Sequence, residues 1–220
     1  MPQELQEQFG AYLQKDNMNI LSNSPERYLT ISEYNEDFWA QSTPIKGTAS
    51  RHRNQRKKLW NSTKEKAELT MIVDLVRNDF GRVCQPGSIF TGHRKMRRCG
   101  DLYHAEQSIY GRIKSDLDCL DIISASFPPG SVTGAPKVSA MKFINQLEQQ
   151  PRNIYTGSIG FLSLNGNAHF NVAIRTITVK DKQASYRVGA GIVADSNPQK
   201  EWLETLSKGR AILFNLRSTN

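Results

Sequence analysis

Residues 154–194 read IYTGSIGFLSLNGNAHFNVAIRTITVKDKQASYRVGAGIVA, and this stretch decides the fold. Apolar and polar residues alternate along it with a period of two, the pattern of half-buried strands. Three successive strands are predicted, over 154–164, 168–180 and 183–194, joined at Asn165-Gly166-Asn167 and at Lys180-Asp181-Lys182. Upstream the period is helical. A helix is predicted over 62–80, capped by Ser62 or Thr63, with Glu65 in its first turn and Gly81 where it should stop. Asp116 is the predicted cap of a second helix with Leu117, Leu120 and Ile123 as its apolar residues, closed by Pro128-Pro129-Gly130. Pro136 suits the start of a third, with Val138, Met141, Ile144 and Leu147 on one face. A last helix follows Ser196-Asn197-Pro198 and runs to about Leu216. Nearer the N-terminus, 19–31 reads as two strands around a tight Ser-Pro-Glu-Arg connection. Helices together with an antiparallel meander predict an α+β fold.

The chain has 220 residues and a formal charge of +8. Its composition is that of an ordinary globular protein with enough length for a real core. No apolar run approaches the ~20 residues of a membrane helix. The N-terminus lacks a basic region followed by an apolar one, so no secretory signal is expected and a cytoplasmic location is. Cys84, Cys99 and Cys119 are far apart and follow no zinc or disulfide spacing, which predicts reduced, packed thiols. The charge gathers in two clusters, Arg51, Arg53, Arg56, Lys57 and Lys58, and Arg94, Lys95, Arg97 and Arg98. Neither carries the regular aromatics of a single-strand binder, so both read as solvated loops without a nucleic-acid partner.

Several residues have spacing that permits chemistry. Glu65 and Glu68 stand three apart near the start of one helix, and Glu201 and Glu204 near the start of another. Each pair shares a helical face and either complements the helix dipole or, if the faces meet, forms a hard oxygen site suited to Mg²⁺. Lys208, four residues beyond Glu204, either neutralises a glutamate or binds a substrate carboxylate. Gly130-Ser131-Val132-Thr133-Gly134 and Gly189-Ala190-Gly191 either turn the chain or present backbone N–H groups to an anion. The first lacks Walker-A form, which excludes an ATP P-loop. Arg175 falls inside an apolar strand and needs a carboxylate partner, internal or ligand. Lys46, between Pro44 and Gly47 on a loop or strand end, is either a surface residue or a nucleophile. His104 and Tyr155 cannot be placed by spacing.

The stretches PIKGT from Pro44, VDLVRNDFGRVC from Val73, FPPGSVTGAPK from Phe127, AIRT from Ala173, GAGIVADS from Gly189 and EWLETLSK from Glu201 occur in that order. Together they resemble the C-terminal part of the chorismate-utilising enzymes, the anthranilate, aminodeoxychorismate and isochorismate synthases, over residues 9 to 216. Lys46, where anthranilate synthases have Ala, aligns the chain with the aminodeoxychorismate branch. The resemblance implies one catalytic domain over 1–220, part of a two-layer α/β sandwich. It implies conversion of chorismate and ammonia to 4-amino-4-deoxychorismate on the p-aminobenzoate and folate route. A glutamine amidotransferase subunit would supply the ammonia.

By the same resemblance, Mg²⁺ would be held by Glu68 and Glu204 with Glu65 and Glu201 in support. Lys46 would form a covalent intermediate at C2 and His104 would give acid–base help. Tyr155, Arg175 and Lys208 would hold carboxylates, with an anion cradle at Ser131, Thr133, Gly134, Gly189, Ala190 and Gly191. Anthranilate or isochorismate synthesis, or a non-catalytic chorismate-binding fragment, are the alternatives. Two departures stand out. The family runs to about twice this length, so an uncovered apolar face and open sheet edges are expected. In the basic segment 92–101, Arg97 stands at or near a family glutamate; beyond that segment, Gln107 stands where serine is usual.

Overall fold

The computed structural model describes residues 9–50, 52–99 and 102–217. From the N-terminus come β1 (Phe9–Lys15), β2 (Met18–Ser24), β3 (Arg27–Tyr34), β4 (Asp37–Thr43) and β5 (Ile45–Ser50). Helices α1 (Arg53–Asn61) and α2 (Thr63–Val83) follow, then β6 (Phe90–Thr91), β7 (Lys95–Cys99), β8 (Leu102–Glu106) and β9 (Ile109–Arg112). Helix α3 (Cys119–Ser126), a 3-10 turn at Gly130–Val132 and α4 (Lys137–Leu147) precede β10 (Gly160–Leu162) and β11 (Ala168–Asn171). The chain closes with β12 (Thr176–Lys180), β13 (Gln183–Tyr186) and α5 (Pro198–Arg217). The fold is α+β, as the sequence predicts.

Three antiparallel sheets form, in the orders β1-β2-β12-β13, β10-β11-β3-β4-β9-β6 and β5-β8-β7. The hairpin turns Asn35-Glu36 and Asp181-Lys182 hold both residues at positive φ, between 50° and 66°, the mirror-image turn whose twist matches paired strands. Helix α2 lays Leu69, Ile72, Val73, Val76, Phe80 and Val83 inward. Leu69, Val73, Val76, Phe80 and Val83 share one core with Leu29, Ile31, Ala40, Ile109 and Ala168 of the six-stranded sheet and Ile122 of α3. Each fully buried side chain of this size contributes about 1.5–3 kcal/mol. All three cysteines are free and buried, as expected.

The structure corrects several expectations. Gly81 does not end α2, which continues to Val83 because Val83 still reaches the core. The cap of α3 is Asp118, not Asp116: its carboxylate accepts from the Leu120 and Asp121 N–H groups, and Asp121 accepts from the Asp118 N–H in return. The helix is thereby rotated so that Ile122 is buried and Leu120 is exposed. The stretch 168–180 is not one strand. It breaks after Asn171, where Arg175 takes a φ of 51°, so β11 belongs to the six-stranded sheet and β12 to the four-stranded one. The connection between β2 and β3 changes sheets in the same way, and the two corners bond: Val172 N–H to Glu26 O at 3.0 Å and Asn23 N–H to Arg175 O at 3.1 Å. The expected strands 154–164 and 183–194 shrink to β10 and β13, leaving Gly189-Ala190-Gly191 on a loop. The basic clusters are not loops; their described residues lie on α1, beside β7 and within β7. Helix α4 buries none of its residues, and Val138 and Leu147 are 67% and 77% exposed.

Candidate functional site

Lys46 is the second residue of β5, and its Nζ donates to the Ser131 carbonyl at 3.4 Å. The following Gly47 has φ +75°, and a Cβ there would stand 2.7 Å from Glu65 Oε2. Only glycine lets the first turn of α2 bring its carboxylate this close to β5. Ser62 caps α2 by accepting from the Glu65 N–H, so the predicted cap also sets the position of that glutamate. The loop after β13 approaches from the other side: a Cβ on Gly191 would stand 3.4 Å from Lys46 Nζ, and one on Gly189 3.0 Å from the Tyr155 hydroxyl. Lys208 Nζ donates to Gly189 O at 3.0 Å and pairs with Glu204 at 2.8 Å. Lys46, Ser131, Tyr155, Gly189, Gly191, Glu204 and Lys208 therefore form one set of neighbours.

His104 is on β8 opposite Thr48 and is 3% exposed. Its Nδ1 lies 3.2 Å from Gly47 O, which assigns the Nδ1 proton, since a carbonyl only accepts. Nε2 is buried without a partner and carries a lone pair. Burial, with Arg175, Arg97 and Lys208 nearby, pushes the ring's pKa down to about 4 against the pull of the Gly47 carbonyl. His104 is thus a neutral acceptor in the free chain, surrounded by cations. Arg175 is one of them, placed by the β11–β12 break; among the described residues it has no ion pair, which leaves its charge for an anion.

The two glutamate pairs face each other across α2 and α5, with Lys64 between them. Burial and the Glu68 carboxylate, with a smaller push from Glu204, raise the pKa of Glu65, against the pull of Lys64 and Lys46. Lys64 lies 3.7 Å from Glu68 and 3.5 Å from Glu201, and Ser196 donates to Glu201 at 2.8 Å. Among the described residues, no three acidic, His or Cys side chains converge closely enough to form a metal cage. The chemistry nevertheless fits a hard divalent cation. The donors are all carboxylate oxygens, they crowd one another, and an ammonium already bridges two of them. Thr133 spends its hydroxyl on Pro129 O and Gly130 O, so it shapes the turn. Gly134 has φ +154°, a conformation that favours glycine.

Sequence reading missed two residues. Lys64 was hidden in an ordinary helical first turn. Glu26, read as part of a Ser-Pro-Glu-Arg turn, is 4% exposed and accepts from the Ile45 N–H at 3.4 Å. Burial raises its pKa, while Ser131, Lys46, the Ile45 N–H and Arg97 act to lower it. No spacing links position 26 to position 46; only the corner between β2 and β3 does. Arg97 is itself balanced, with Nε donating to Glu106 at 2.6 Å and a guanidinium nitrogen donating to Pro25 O.

A half-buried lysine, an arginine without an ion pair among the described residues and facing carboxylates together suit a small polyanion. Known proteins agree on the class. The description "chorismate binding enzyme" matches residues 2–214, and the chain belongs to that family. It is 42% identical over 217 residues to aminodeoxychorismate synthase component 1 of Salmonella typhimurium, covering 96% of this chain and 47% of the relative. It is 39% identical over 209 residues to anthranilate synthase component 1 of Aquifex aeolicus, covering 92% and 42%. The crystal structure of anthranilate synthase component I from Streptococcus pneumoniae superposes with a TM-score of 0.81 at 32% identity, covering 91% of this chain and 45% of that one. The chain thus spans about half the length of the curated relatives it matches. Among the described residues no helix is long and apolar enough to cross a membrane.

Proposed function

We propose that the chain carries the catalytic half of an aminodeoxychorismate synthase component, turning chorismate and ammonia into 4-amino-4-deoxychorismate and water. The observation that carries this reading is Lys46, held at Ser131 O beside buried Glu26 and beneath Gly191, whose missing side chain leaves the amine approachable. A lysine attacks only as the free amine, and Glu26, whose burial favours its protonated form, takes the proton. The amine of Lys46 adds at C2 of chorismate, the ring double bond shifts and the C4–O bond breaks. Ammonia then attacks C4, the double bond returns and the C2–N bond to Lys46 breaks. The two displacements place nitrogen at C4 rather than at C2.

Arg175 and Lys208 hold the substrate carboxylates, with the Tyr155 hydroxyl beside Gly189. Burial and, after it, the nearby cations keep His104 neutral; an anion there offsets the cations, so substrate binding raises the affinity of Nε2 for a proton near the departing hydroxyl. Glu65, Glu68, Glu201 and Glu204 would hold Mg²⁺ once Lys64 swings out. Bound there, the ion would stabilise negative charge on the substrate. The relatives' designation as component 1 supports a second component, a glutamine amidotransferase that delivers ammonia. The reaction would serve p-aminobenzoate and folate synthesis in the cytoplasm.

The test is to incubate the protein with chorismate, MgCl₂ and ammonium and identify products by mass and chromatography. The expected product is 4-amino-4-deoxychorismate, lost in Lys46→Ala and reduced in Glu26→Gln. Anthranilate or isochorismate as the product would replace this reading with the corresponding synthase. A folded chain that binds chorismate without turnover, and stays silent when fused to the N-terminal half of the Salmonella relative, would make it a binding fragment.

A further inference from the structure

Away from this site, α1 and β7 flank an open groove of about 550 Å³ lined by Arg56, Lys57, Trp60 and Met96. Its place in the fold separates it from His104. Met96 pairs with Ala105 and Arg97 with His104, so alternation puts Met96 and His104 on opposite faces of the β5-β8-β7 sheet. The walls are prearranged. Arg94 lies over the Trp60 ring at 4.9 Å and donates to Trp60 O and Leu59 O at 2.9 and 3.3 Å, which clamps the end of α1 and holds the indole still. Arg56 lies over the Tyr103 ring at 5.4 Å, which fixes its guanidinium at the rim.

The charge of this region is one-sided. Residues 52–64 contain five cations and no acid. Among the described residues, Arg56, Lys57, Lys58, Arg94 and Lys95 have no ion pair. The lining between the cations is a large aromatic ring and a polarisable thioether, both suited to a flat ring. The volume lies within the small-ligand range. With Trp60 as the one aromatic in its lining, it suits one ring system rather than a strand of stacked bases.

We propose that this groove binds a planar aromatic anion, with its ring against Trp60 and Met96 and its negative group between Arg56 and Lys57. The proposal is independent of the reaction at Lys46. Equilibrium dialysis of the 220-residue chain tests it, with 2-naphthoate as the probe and 2-naphthamide, cyclohexanecarboxylate and inorganic phosphate as controls.

Saturable 2-naphthoate binding is expected, weakened about tenfold or more in Arg56→Gln/Lys57→Gln, since charge-assisted contacts are the strong ones. The three controls should each bind about tenfold more weakly than 2-naphthoate. Phe143→Ser, on the open face of α4, should leave binding unchanged, which separates the groove from general adsorption. Equal binding by the double variant, or by 2-naphthamide, would overturn the proposal. So would tighter, steeply salt-dependent binding of a single-stranded oligonucleotide lost in the same variant, since it would assign the surface to nucleic acid. Circular dichroism checks the fold of each variant, and all three substituted side chains, Arg56, Lys57 and Phe143, are exposed.

Discussion

Helices α2 and α4 look alike in sequence and have opposite fates. Both repeat apolar residues at helical spacing. Helix α2 buries seven residues between the six-stranded sheet and α3, whereas α4 buries none. Periodicity therefore reports which face of a helix is apolar, not whether anything covers it. The exposed side chains of α4 continue a theme: Phe161 and Leu162 on the sheet-edge strand β10 are open as well. Relatives twice as long match this chain over half their length, and the open surfaces are where further chain could add apolar contacts.

The contrast can be broken by mutation. Phe80→Ala in α2 removes a ring that is 1% exposed and should cost about 3–5 kcal/mol in denaturant unfolding. Phe143→Ala in α4 should stay within about 0.5 kcal/mol. A comparable loss at both positions would mean that α4 is covered in solution, by a second copy or another chain.

Among the described residues, Lys137 ties the two helices together: its Nζ lies 2.5 Å from Asp79 of α2 and 2.7 Å from Ser126 O. Lys137→Met takes one of two cations from the buried Asp79 carboxylate, with Arg82 remaining at 2.7 Å. A loss of about 3 kcal/mol is expected, the lower end for a broken buried pair. Asp79→Asn/Lys137→Met should recover part of it. No recovery would show that Lys137 acts through packing alone.

Covered and open surfaces also differ in how they respond to pH. His104 is held neutral with its pKa near 4 against 6.5 for the unfolded chain. Between those values the unfolded state binds the extra proton, so stability falls as pH drops from about 6.5 to about 4, by about 3 kcal/mol in full. His104→Gln should flatten that part of a stability-against-pH curve. An unchanged slope would place the acid sensitivity elsewhere. The smallest effect is expected at Leu147: Leu147→Ser should leave the midpoint nearly unchanged while reducing aggregation, read by light scattering.

Much of the site was legible. The glutamate pairs, Lys46, Lys208 and the glycine loops were all found by spacing or resemblance, and helix ends at Ser62 and Pro198 followed from capping chemistry. Their convergence was not. Arg175 read as a charge inside a strand because NVAIRTITV is otherwise rich in apolar and β-branched residues, yet the chain changes sheets there. Glu26 looked like a turn residue for the same reason: its partner, the Val172 N–H, is 146 positions away.

What the amino-acid sequence determined by itself was local: helices from periodicity and caps, hairpins from short polar turns, and the residue types available for chemistry. These depend on neighbours within a few positions, so they can be read along the chain. Only the tertiary structure decided that Lys46 sits beside Glu26, that Lys64 bridges Glu68 and Glu201, and that His104 stays neutral. Desolvation and charge act through space, and the groups that supply them here come from strands and helices far apart in sequence.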